Sequence, residues 1–105
     1  MSSLNKIILI GSLTTDPEQR TTNSGDAFSR FTLAVDRMTG PEGVASATDF
    51  IPVVAWRDLA QHVQSLTKGD RAMVDGRIVT RTFDDEEGKR HYVTEVEARI
   101  INALS

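Results

Sequence analysis

The stretch DFIPVVAWRDLAQHVQSLTKGDRAMVDGRIVTRTF, residues 49–83, decides the fold. Its opening part alternates: Phe50, Pro52, Val54 and Trp56 fall on one face, and Ile51, Val53 and Ala55 on the other. Pro52 cannot donate to a ladder, so it belongs at an edge, a bulge or a strand beginning. The period then changes. Leu59, Val63 and Leu66 repeat at i, i+4 and i+7, and Lys68-Gly69 supplies a cation and a stop. That predicts a short helix of about three turns. Period two returns over residues 71–83, with Ala72, Val74, Gly76 and Ile78 facing one way and Arg77, Val79, Arg81 and Phe83 the other. The unit is strand, single helix, strand.

Outward from this unit the chain reads as further strands. Residues 27–36 place Phe31, Leu33 and Val35 on a core face, with Arg30, Thr32, Ala34 and Asp36 opposite. Residues 5–13 form a first strand, rich in β-branched residues, whose interior Gly11 marks a bend or a close backbone approach. Asp16-Pro17-Glu18 and Asn23-Ser24-Gly25-Asp26 read as turns. A polar loop over 38–48 is long for a hairpin connection. An acidic loop, Asp84 to Glu87 followed by Gly88, turns the chain into a last strand over 89–101. Three strands, a helix and two strands fit an all-β, five-stranded Greek-key barrel of the OB type, with the helix between strands three and four.

At 105 residues the chain is the length of one domain, and we assign residues 1–105 to it. An apolar share of 39% and a charged share of 26% exclude collagen-like and wholly disordered classes. The longest pure apolar run, Ile7 to Ile10, is far short of the ~20 residues of a membrane span, and no secretory signal pattern opens the chain. The absence of cysteine removes disulfides, thiolate metal sites and a cysteine nucleophile. The net charge of −3 argues at first sight against a nucleic-acid partner. Four of the acids, however, cluster at Asp84, Asp85, Glu86 and Glu87, while several arginines are spaced two apart.

Binding an unpaired nucleic-acid strand takes cations along the backbone and flat rings on which bases stack. Arg77, Arg81 and Phe83 share parity on one strand; Phe50 and Trp56 share a face of another, and Arg30 is placed to join them. Trp56 precedes the helix, and its parity fits both this face and a cover over the barrel end. The arginines alternatively form a solvated face paired with Asp75 or Glu95. Catalytic readings are weaker. His62 reads as a surface residue, and a metal site of His91 with the acidic loop is disfavoured because consecutive acids in a hairpin loop diverge, which leaves a metal-dependent hydrolase as the third reading. No phosphate loop, nucleophile elbow or dinucleotide fingerprint is present. The residues point first to a binding protein.

At these residues the sequence resembles the bacterial-type single-stranded DNA-binding protein family. The likeness is carried by Asn5-Lys6 before the strand ending in Gly11, Asp16-Pro17-Glu18 with Arg20, Phe31 to Val35, and Thr48-Asp49-Phe50. It continues through Val53-Val54, Leu59-Ala60, Lys68-Gly69-Asp70, Gly76-Arg77, Thr80-Arg81 and Tyr92 with Thr94-Glu95-Val96. The resemblance implies an OB barrel that wraps single-stranded DNA in replication, recombination and repair, in the cytoplasm and associated with the nucleoid. It also implies binding with no cofactor and no enzymatic activity, and self-association, usually as a homotetramer, with a dimer the smaller alternative. Phe50 and Phe83 match base-stacking aromatics, Trp56 a third aromatic position, and Lys6, Arg20, Lys68 and Arg81 positions that are frequently basic. Thr39, Thr21 and Pro52 depart from the family pattern and imply weaker binding per subunit or a different path for the strand. The chain ends at Ser105, just past the last strand, without the family's usual linker and acidic tip. That makes recruitment of replication and repair proteins the open part of the expectation. The thinned aromatic set and the negative charge motivate a second reading, a primosome-type oligomeric OB module acting mainly through protein partners.

Overall fold

A computed structural model describes residues 2–37 and 47–104. The strands are β1 (Ile7–Leu13), β2 (Glu18–Thr21), β3 (Ala27–Arg37), β4 (Ala47–Trp56), β5 (Arg71–Asp84) and β6 (Arg90–Leu104), with one helix, α1 (Asp58–Val63), between β4 and β5. The sheet runs β1-β5-β6-β4-β3-β2, and β1 also pairs with β3. That last pairing closes five strands into the expected OB barrel, and β4 meets β6 in parallel at Val53↔Val96 and Val54↔Glu97. Thr39, and with it most of the loop expected over 38–48, lies outside the described residues.

Three details differ from the sequence reading. Residues 18–21, read partly as a turn, form the short strand β2 on the outer edge of β3. All four of its residues are exposed, so no alternation marks it. The helix is shorter than three turns: after Val63 it tightens into an i→i+3 bond from Leu66 N–H to the Val63 carbonyl at 2.9 Å. The last strand runs on to Leu104 and carries a bulge, since Asp75 pairs with Ile100 while Gly76 pairs with Ala98. The surplus residue, Arg99, shifts the alternation, which is why both Val96 and Ile101 reach the core.

The interior is filled by Phe31 and Leu33 from β3, Val53 and Ala55 from β4, Ala72 and Val74 from β5, and Val63 and Leu66 at the helix end. Fully burying one such large side chain contributes roughly 1.5–3 kcal/mol. Gly11 sits where β1 crosses β3: a Cβ there would lie 2.3 Å from the Ala34 carbonyl oxygen. The close approach expected from sequence is what permits the barrel to close.

Candidate nucleic-acid interface

Cross-strand register assembles one outer wall. Residues directly opposite share a face, so Arg20↔Phe28 and Phe28↔Trp56 form one row across β2, β3 and β4. The next row is Glu18↔Arg30, Arg30↔Val54, Val54↔Glu97 and Glu97↔Arg77. Lys6 precedes the first β1 pair, Ile7↔Gly76, and shares a recess with Arg77 and Glu97. Farther along the β5–β6 ribbon, Val79↔Glu95, Arg81↔Val93 and Phe83↔His91 continue the same side.

Glu95 is the hub of this wall. Although only 5% exposed, it takes Arg81 Nε on Oε1 at 3.2 Å, while Arg30 Nη2 lies 3.5 Å from Oε2. A buried carboxylate needs such partners, and here two guanidiniums from different strands supply them. Each guanidinium also lies over a ring: Arg30 sits 5.6 Å from the centroid of Phe28, and Arg81 6.0 Å from that of Phe83. Phe28 in turn lies 5.1 Å from Trp56, and Phe83 stacks on His91 at 5.1 Å and 15°. The contacts therefore run without a break from Trp56 through Phe28, Arg30, Glu95, Arg81 and Phe83 to His91.

The rings remain accessible. Phe50 is 64% exposed, Phe83 45% and Trp56 38%. Phe50 stands on the same side of β4 as Trp56, about 20 Å away along the strand at ~3.3 Å per residue. Beside it, Arg37 grips Asp49 with Nε and Nη2 at 2.9 and 2.8 Å, pinning β3 to β4. Those hydrogen bonds hold the Asp49 carboxyl below its ordinary range.

The acidic loop is organised about one member. Asp85 Oδ1 accepts the backbone N–H groups of Glu87 and Lys89 at 3.0 and 2.8 Å, and Oδ2 accepts from His91 Nε2 at 2.8 Å. The His91 bond, followed by the backbone bonds, lowers the Asp85 pKa. Asp84 pairs with Arg90 at 3.2 Å. No cluster of three or more metal-ligating side chains forms among the described residues.

Of the candidate residues, Arg30, Phe50, Trp56, Arg77, Arg81 and Phe83 share the wall, with Lys6 and Arg20 at its two margins. Lys6 pairs with Asp75 at 3.3 Å, and Arg20 pairs with Glu18. Lys68 stands apart, in the turn before β5, where its backbone N–H donates to Asp16 Oδ1 at 2.8 Å. Two members escaped the sequence reading. Phe28 has the parity of Arg30, which was its available signal; His91 was weighed only as a ligand beside acids, not as the cross-strand neighbour of Phe83.

Residues 4–104 match the Single-strand binding protein family. The chain belongs to that family. Similar members include the single-stranded DNA-binding protein of Halalkalibacterium halodurans, 47% identical over 102 residues that cover 96% of this chain and 61% of the relative. The single-stranded DNA-binding protein of Caldanaerobacter subterraneus is 50% identical over 96% of this chain and 68% of its own length. Single-stranded DNA-binding protein A of Bacillus subtilis is 44% identical over 96% of this chain and 59% of its own length. The chain thus spans about three-fifths of the length of the first of these family members.

Proposed function

We propose that this family member holds single-stranded DNA on the wall of β3, β4, β5 and β6 by base stacking and phosphate neutralisation, without reading sequence. The observation that carries the reading is the unbroken series of rings and paired guanidiniums described above, exposed at Trp56 and Phe83 and half-buried at Phe28 and His91. Each stacked base contributes about 1–3 kcal/mol whatever its identity, because every base has a π-face. Each phosphate neutralised adds about −0.7 to the slope of log affinity against log salt. The cations of the wall already have carboxylate partners, so an incoming phosphate exchanges one anion for another. Glu95 and Asp75 each serve two cations, which leaves positive charge in excess of what the pairs consume. The roles that follow are protection of unpaired DNA in replication, recombination and repair, as a binder and not an enzyme.

Titration of oligo(dT) against the fluorescence of Trp56, the sole tryptophan, across a salt series tests this. Saturable quenching that weakens with salt is expected. Removing Phe83, Arg77 and Arg81 together should abolish it at moderate salt; equal affinity in that variant rules the wall out. No saturable binding by the parent at low salt would favour a module that works through protein partners.

The reading includes self-association. Outside the barrel, Ile8 and Ile10 of β1 lie in register with Asp75 and Met73, and these with Ile100 and Asn102 of β6. Ile8, Ile10, Ile100 and Leu104 are all exposed, and together they form an apolar patch on that part of the barrel. A second copy of the chain is the occupant that suits it, since the patch contains the apolar first strand; a dimer or homotetramer follows from how many such faces are used.

A further inference from the structure

We propose that Arg57 is a further DNA-contacting residue, gripping the phosphate next to the base stacked on Trp56. This rests on the wall being the binding face, and extends it past the end of β4. Arg57 has φ 55° and ψ −121°, the first central position of a type II′ turn, where glycine normally sits. It has positive φ without being glycine, alone in this among the described residues; Gly25, Gly69 and Gly88 are the others with positive φ. The position itself needs only backbone: Arg57 N–H donates across to the Ala27 carbonyl of β3 at 2.8 Å, next to the Phe28↔Trp56 pair, a bond glycine would make equally well. The side chain is therefore kept against a conformational cost, a pattern that concentrates at functional sites.

Its surroundings point to the use. The guanidinium is largely exposed and, among the described residues, meets only Asp26, at 3.4 Å, through a long and solvated contact. Trp56, Arg57, Asp26 and Glu97 line one surface recess of about 370 Å³, so the cation borders both the stacking ring and the Glu97 row of the wall. A phosphate reaching this margin displaces Asp26 from Arg57 at small cost, because exposed pairs of this kind are weak.

The test is Arg57→Gly, measured with oligo(dT) beside the parent. Glycine relaxes the turn, so the melting temperature should rise while the salt slope falls by about 0.7, equivalent to roughly fivefold weaker binding at 0.1 M salt. Arg57→Lys should recover most of the lost slope. Asp26→Asn should tighten binding with Arg57 present and lose that gain in the Arg57→Gly background. Parent-like affinity and slope in Arg57→Gly would overturn the assignment while leaving the wall intact, as would an equal Asp26→Asn gain in both backgrounds. A parent that fails to bind oligo(dT) overturns the wall and this inference together.

Discussion

Glu95 decides whether the wall holds its shape. Its carboxylate is buried, yet the two guanidiniums it binds are about two-fifths exposed, at 38% for Arg30 and 43% for Arg81. Glu95→Gln should therefore cost about 1–2 kcal/mol of stability by denaturant titration, below the 3–5 kcal/mol of a wholly buried pair. It should also let Arg81 leave Phe83, seen as a lower enthalpy of oligo(dT) binding by calorimetry. Asp85 makes a pH prediction. Its folded pKa lies below the ordinary value of ~3.9, so its contribution is complete above that value and disappears as pH falls through the depressed one. Asp85→Asn should accordingly flatten the acid limb of the stability profile, with little change in its slope above pH 5. A mutant whose acid limb parallels the parent's would contradict the role of the His91 bond.

Among the elements, β3 was legible because it has one wet and one dry face over many residues, and β5 because its first half buries Ala72 and Val74 while its exposed outer half continues the same parity. Phe31 and Leu33 went to the core, and Arg77, Arg81 and Phe83 to the wall, as alternation requires. β2 was invisible for the opposite reason: Glu-Gln-Arg-Thr is polar on both faces and pairs only along an edge. The β6 bulge leaves no mark in composition, since Ala98, Arg99 and Ile100 read as ordinary strand residues. Glycines were half legible. Gly11 announced a close approach, but Gly76, where a Cβ would lie 2.2 Å from the Glu97 carbonyl oxygen, looked like any core-facing position. Gly11→Ala and Gly76→Ala should each destabilise the barrel by about 1–3 kcal/mol or more, because backbone rather than a movable side chain is in the way. Thermal melts check this, and a neutral result at Gly76 would mean that the bulge can shift.

For the whole molecule, the barrel presents two surfaces of different character joined along β5 and β6. From the bulge toward the start of β5 and the end of β6 the exterior is aliphatic, with Ile8, Ile10, Ile100 and Leu104; from the bulge toward the β5–β6 turn it is aromatic and cationic. Asp75 stands at the boundary, holding Lys6 and Arg99 at 3.3 and 3.2 Å. Ile8→Asp combined with Ile100→Asp should reduce the mass seen by light scattering to that of one chain, 11.6 kDa, while each barrel keeps its own wall. Site size per oligomer should then fall and affinity per chain drop through lost multivalency. An unchanged mass would show that copies meet elsewhere, or not at all.

The surplus residue at Arg99 sets the reading frame of the last strand. Deleting it would make the ladder regular and leave the pairs on both sides as they are, Ala98 opposite Gly76 and Ile100 opposite Asp75, so that Ile101 would stay inside and Ile100 outside. A single-residue deletion is thus absorbed at Arg99, as it is at the hairpin tip near Gly88, but anywhere else along this strand it would turn one of the molecule's two surfaces inside out.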